Sequence, residues 1–129
     1  MKEEISNQEG FFGMYIKRIN NLTNSSVYLT VREYPNKSLA LRAGEKRKPA
    51  DIPLPWVSTV HDEGKCLLLE IADANQEILL WDDKGSGAFF TKNGQWDPQA
   101  RKVFGNASSW GDYELTIEAN GDLEMKKMA

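Results

Sequence analysis

Apolar and polar residues alternate along most of this chain, and no stretch holds a helical period for three turns. Phe12, Met14 and Ile16 alternate with smaller or polar neighbours. Val27, Leu29 and Val31 do the same, with Tyr28, Thr30 and Arg32 on the other face. Successive strand side chains point to opposite faces, so this period predicts half-buried strands. The turn-forming run Asn20-Asn21-Leu22-Thr23-Asn24-Ser25 lies between them. It predicts a hairpin with strands over about residues 12–19 and 26–34.

Cys66-Leu67-Leu68-Leu69 to Ile71 is a continuous apolar run, which fits a strand with two apolar faces. Gln76 to Trp81 follows across Asp73-Ala74-Asn75 as its hairpin partner. Asp82-Asp83-Lys84-Gly85-Ser86-Gly87 then reads as a turn, and Ala88-Phe89-Phe90-Thr91 as the next strand. The last hairpin can be placed in register. A two-residue Asn120-Gly121 loop would set Ile117 opposite Glu124 and mix the two faces. A three-residue loop, Ala119-Asn120-Gly121, sets Ile117 opposite Leu123 and Leu115 opposite Met125, with Gly121 left-handed.

The run Asp51-Ile52-Pro53-Leu54-Pro55-Trp56-Val57 has a different meaning. Proline has no N–H, so Pro53 and Pro55 exclude a central strand. An edge strand or an extended crossover between sheets fits. Only Pro98 to Val103 is assigned a turn of helix. The expected fold is all-β: a single antiparallel β-sandwich or small barrel of about eight to nine short strands. Residues 1–129 form one domain, with 1–10 as a polar N-terminal extension.

Composition narrows the partners. The chain has 129 residues, 40% hydrophobic and 27% charged, which is a globular balance. Its net charge of −3 argues against a nucleic-acid partner, which calls for a basic excess. The basic run Arg42, Lys46, Arg47 and Lys48 reads as a solvated loop. One cysteine, Cys66, forms no internal disulfide. No apolar leader and no membrane-spanning run is present, so cytoplasmic synthesis is expected. The sequons at Asn21, Asn24, Asn36 and Asn106 are read as turn chemistry.

Candidate chemistry is sparse. His61 and Cys66 are the only residues of their types, and Cys66 opens an apolar run where a thiol is usually inert. No nucleophile, phosphate-loop or metal-ligand signature occurs. No catalytic residue, cofactor or metal site is expected. The acidic Asp82–Gly87 turn lacks the ligand spacing of a calcium loop.

The tryptophans carry more information. Trp81 ends an apolar strand and is expected in the core. Trp96 and Trp110 lie in polar segments rich in Gly, Asn and Asp, within the long non-periodic stretch 92–112. An aromatic face beside Asp, Asn and Arg suits a sugar ring, or a choline headgroup. The expected ligand-binding set is Trp96, Trp110, Asp97, Arg101, Asn106 and Trp56. In size, composition and strand density the chain is similar to small, acidic, tryptophan-bearing β-sandwiches among lectins and membrane-lipid-binding cytolysins. That similarity carries no motif, so it transfers no residue role. The expectation is a non-enzymatic, lectin-like glycan-binding protein, with a homo-oligomer left open as its assembly. The alternatives are a cytolysin-like protein binding membrane-lipid headgroups, and a structural or protein-interaction subunit.

Overall fold

The computed structural model describes residues 13–83, 86–96, 100–105 and 110–128. The expected 1–10 extension, and Phe12 in the first alternation, lie outside them. Two sheets pack face to face. The first contains β1 (Met14–Asn21), β4 (Lys48–Pro53), β10 (Phe104–Gly105), β11 (Gly111–Ile117) and β12 (Leu123–Lys127), in the order β10-β12-β11-β1-β4. The second contains β2 (Val27–Thr30), β3 (Leu39–Leu41), β6 (Leu67–Ile71), β7 (Gln76–Asp83), β8 (Ala88–Thr91) and β9 (Arg101–Lys102), in the order β3-β2-β6-β7-β8-β9. The short β5 (Trp56–Val57) pairs with β7. The only helical elements among the described residues are 3₁₀ turns at Pro35–Lys37 and Val60–Lys65. The β-sandwich expected from the alternation is therefore present.

Three details differ from expectation. Among the described residues the strands number twelve rather than eight or nine, because β5, β9 and β10 are two-residue pieces at crossovers. The pairs β1–β11, β10–β12 and β5–β7 are parallel within a mostly antiparallel fold. The helical turn expected at Pro98–Val103 is not formed where the chain is described: Arg101–Lys102 extends to pair with β8.

The first predicted hairpin does not form. β1 belongs to one sheet and β2 to the other, and residues 22–26 carry the chain between them. Asn21 imposes this. Its fully buried carboxamide donates to the carbonyls of Ser25 and Arg42, both at 2.8 Å. It accepts from the Thr23 N–H at 3.0 Å and from the Thr23 hydroxyl at 2.6 Å. The side chain thus supplies partners that a ladder would otherwise provide and turns the backbone off the sheet. Full burial makes Asn21 turn chemistry and not an accessible sequon.

The last hairpin follows its predicted register, and the hairpin expected across Asp73–Asn75 also forms. Ile117 faces Leu123 and Leu115 faces Met125, with Gly121 at φ +90°. β6 and β7 pair from Ile71–Gln76 to Leu67–Leu80. The run 51–57 is both things the prolines allow. Its first part ends β4, the edge strand of the first sheet, and its last part is β5 in the second. In β1 the alternation shifts phase at a bulge between Ile16 and Arg18, which lets Ile16 and Ile19 both face the core.

The main core lies between the sheets and joins Ile16, Ile52, Leu115 and Met125 to Leu29, Leu69, Leu80 and Phe90. The second sheet also has an apolar outer face. There Val57, Cys66, Leu79 and Trp81 are buried, with Leu68, Phe89, Trp96 and Ala100 packed against them. This is the two-faced strand read from Cys66–Ile71.

Candidate functional site

Trp81 is buried in this outer cluster, as a core tryptophan should be. Trp96 covers it, with ring centroids 6.3 Å apart and planes at 47°. The Trp96 backbone N–H donates to Glu63 Oε2 at 2.7 Å, which ties the 92–96 segment to the Val60–Lys65 turn. The indole Nε1 is buried and has no hydrogen-bond partner among the described residues. Trp96 is thus held as a cover over the outer face of β6–β8. The apolar outer face draws the ring down.

Trp110 and Trp56 are different. Their exposures are 54% and 66%, the largest among the exposed apolar side chains. Lys127 Nζ lies 5.6 Å from the Trp110 ring centroid. Trp110 immediately precedes Gly111, whose N–H bonds the Gly13 carbonyl, while the Leu54 N–H bonds that of Met14. Trp110 and Trp56 therefore lie at the same end of the sandwich, where β1 and β11 begin. Asp97 and Asn106 lie outside the described residues.

Arg101 lies elsewhere, at the edge where the chain leaves β9 for β10. Buried Val103 anchors that crossover through its N–H to the Ala88 carbonyl, at 2.9 Å. A Cβ on Gly105 would come within 2.2 Å of the Met125 carbonyl oxygen, so only glycine lets β10 lie against β12. The close approach presents Phe104, half exposed, to solvent. The Arg101 guanidinium lies 5.3 Å from the Phe90 ring centroid and 5.8 Å from that of Phe104.

Arg101 Nη2 also reaches Asp122 Oδ2 at 3.3 Å, and Lys92 Nζ reaches Asp122 Oδ1 at 3.0 Å. Asn120 holds the same turn: its Oδ1 accepts the Asp122 N–H at 3.0 Å, and its Nδ2 donates to Oδ2 at 3.3 Å. The Lys92 hydrogen bond, followed by the charges of Lys92 and Arg101, holds the Asp122 carboxyl below the usual carboxylate range.

An open groove of about 570 Å³ runs beside this group, lined by Phe104, Glu118, Ala119, Asn120, Asp122 and Glu124. A second, of about 480 Å³, is lined by Asn75, Gln76, Glu77, Asn93 and Lys92 with Ala74. The Lys92–Asp122 pair joins the two. Together they give an aromatic wall beside fixed carboxylates, carboxamides and two cations.

Of the expected set, the structure brings Arg101 beside this groove, against Phe104 and Asp122. It places Trp96 over the outer cluster and Trp110 and Trp56 at the end where β1 begins. Sequence reasoning missed Phe104, Asn120, Asp122, Glu118, Glu124 and Lys92. Phe104 and Lys92 fall within the flagged stretch 92–112. Asn120 and its neighbours were legible only as a turn, because their role depends on β10 lying beside β12.

Cys66 is fully buried and His61 is exposed. Burial pushes the Cys66 thiol up to about 12, so almost no thiolate forms at neutral pH. Among the described residues no group of three or more His, Cys, Asp or Glu could hold a metal ion. No helix there is long and apolar enough to cross a membrane. Compared with known proteins, the chain matches no family model, no curated protein and no solved structure.

Proposed function

We propose that this protein binds glycans without chemically changing them, through the groove beside Phe104. The observation that carries the reading is Arg101 set between the Phe104 ring and the Asp122 carboxylate. A sugar ring presents an apolar C–H face for the exposed aromatic. Its hydroxyls both donate and accept, which suits the adjoining Glu118, Glu124 and Asn120. Asp122 and Arg101 are fixed before any ligand arrives, so little ordering cost falls on binding.

A glycan array, followed by calorimetric titration of any positive saccharide, tests this reading. Phe104→Ala should weaken binding at least tenfold while the protein still melts cooperatively. Binding unaffected by that change, or no saccharide retained at all, would defeat the proposal. A second reading, binding of phospholipid headgroups, is favoured by one observation: Trp56 and Trp110 are both exposed at the same end of the sandwich. Co-sedimentation with phosphatidylcholine vesicles, lost in Trp56→Ala and Trp110→Ala, would support it in place of the groove.

A further inference from the structure

We propose that the turn joining β3 to β4 is a second binding surface, one that takes the sulfate groups of a sulfated polysaccharide. It uses none of the residues of the glycan groove and does not depend on that reading.

The turn is unusually well fixed. The Asn21 N–H donates to the Glu45 carbonyl at 2.7 Å, and the Gly44 N–H to that of Thr23 at 3.1 Å. The Asn21 carboxamide holds the Arg42 carbonyl at 2.8 Å. Glu45 Oε1 accepts the Arg42 N–H at 2.8 Å, and Asn20 Oδ1 accepts that of Arg47 at 2.9 Å. Four of these hydrogen bonds dock a short connection onto β1 and its crossover, and the fifth, from Arg42 to Glu45, closes the turn on itself.

Its cations are not matched by acids. Lys17, Arg18, Lys37, Lys65, Lys92 and Arg101 each have a carboxylate partner within 4.0 Å, while Arg32, Lys102 and Lys126 have none among the described residues but stand apart in the sequence. At the end of the turn Lys48, which opens β4, lies 4.0 Å from Glu45. Arg42, Lys46 and Arg47 are exposed, and none forms an ion pair among the described residues. A protein of net charge −3 thus concentrates three uncompensated cations on one rigid turn.

Arg47 adds a second, independent observation. It is one of two non-glycine residues among those described with positive φ, at +60°. Glycine would adopt that conformation at lower cost. Strain of this kind points to a function for the side chain it displays.

The surroundings select the occupant. Stable membrane docking needs an apolar anchor beside the cations. The turn offers Ala43 and Gly44, with the single half-exposed Leu22 on the crossover beside it, while Trp56 and Trp110 lie at the opposite end of the sandwich. Single-stranded nucleic acid calls for aromatic platforms that stack bases, and the turn has none. Sulfates spaced along a sugar chain need only forked or rotatable N–H donors carrying charge, which two arginines and a lysine supply.

The full chain should be retained on immobilised heparin at low salt. By analogy with polyanion binding, each contacting cation adds roughly 0.7–0.9 to the log–log salt slope. Three cations give a slope of about 2–3. Arg42→Gln/Lys46→Gln/Arg47→Gln should abolish retention, and Lys65→Gln should leave it unchanged. Arg47→Gly separates charge from architecture. It should weaken binding severalfold yet melt at the same or a higher temperature, because glycine relieves the left-handed backbone. The assignment is overturned by no retention at low salt, or by retention that survives the triple substitution. Tighter binding to anionic vesicles or to single-stranded DNA, or an Arg47→Gly protein that is destabilised, would also overturn it.

Discussion

The Trp96 ring lies 6.3 Å from that of Trp81, over the outer face of the second sheet. A tryptophan in that position contributes mainly to stability. Trp96→Ala should cost about 3 kcal/mol, at the lower end of large core truncations, because the ring is only partly buried. Trp56→Ala and Trp110→Ala, at exposed positions, should each stay within about 0.5 kcal/mol. Urea denaturation of the three variants checks this, and equal losses at all three would contradict it.

The Asn21 carboxamide makes four hydrogen bonds from a fully buried position. Asn21→Ala leaves the Ser25 and Arg42 carbonyls without that donor. Those carbonyls keep bonds from the Thr23 hydroxyl and the Glu45 N–H, so the group stranded is the buried Thr23 N–H, and a loss of about 1–3 kcal/mol is expected. Amide exchange should also rise at Thr23 and Ser25 before global unfolding. A loss below about 1 kcal/mol would mean that the crossover does not depend on this side chain.

Asp122 sets an acid limb on stability. Its folded carboxyl titrates below the unfolded value, chiefly because of the Lys92 hydrogen bond. The contribution is present above the unfolded value, about 3.9, and is lost as pH falls through the folded one. Carbon-detected titration should place its midpoint below about 3.9. Asp122→Asn should flatten the pH dependence of urea midpoints in that window. Asp51, lowered first by its hydrogen bond from Lys17, titrates in the same direction. Its exposure keeps its effect on stability small.

Cys66 should be inert in the native state, since burial pushes its thiol up to about 12. Labelling by a neutral-pH thiol reagent should track unfolding and accelerate in denaturant. Fast stoichiometric labelling of the native protein would contradict this. Cys66→Val should fold and cost about 1 kcal/mol or less, as a near-isosteric core change.

Local rules explain what the sequence by itself determined. Period-2 alternation, with turn residues at Asp73–Asn75 and Asn120–Gly121, specified strands, the pairing of two hairpins and the register of the last one. Those pairings join neighbours in the chain, and a one-residue slip would invert their faces. Pro53 and Pro55 likewise announced an edge and a crossover, because a missing N–H is a property of the residue alone. Alternation tells which face a side chain takes but not which strand lies beside it. The separation of β1 from β2, and the parallel pairing of β1 with β11, were therefore decided by tertiary structure. The side-chain roles followed the same division. Trp96 became a cover because residues 57–89 built an apolar surface beneath it. Arg101, Phe104 and Asp122 became neighbours only once β10 lay along β12, an approach that Gly105 permits and no local pattern encodes.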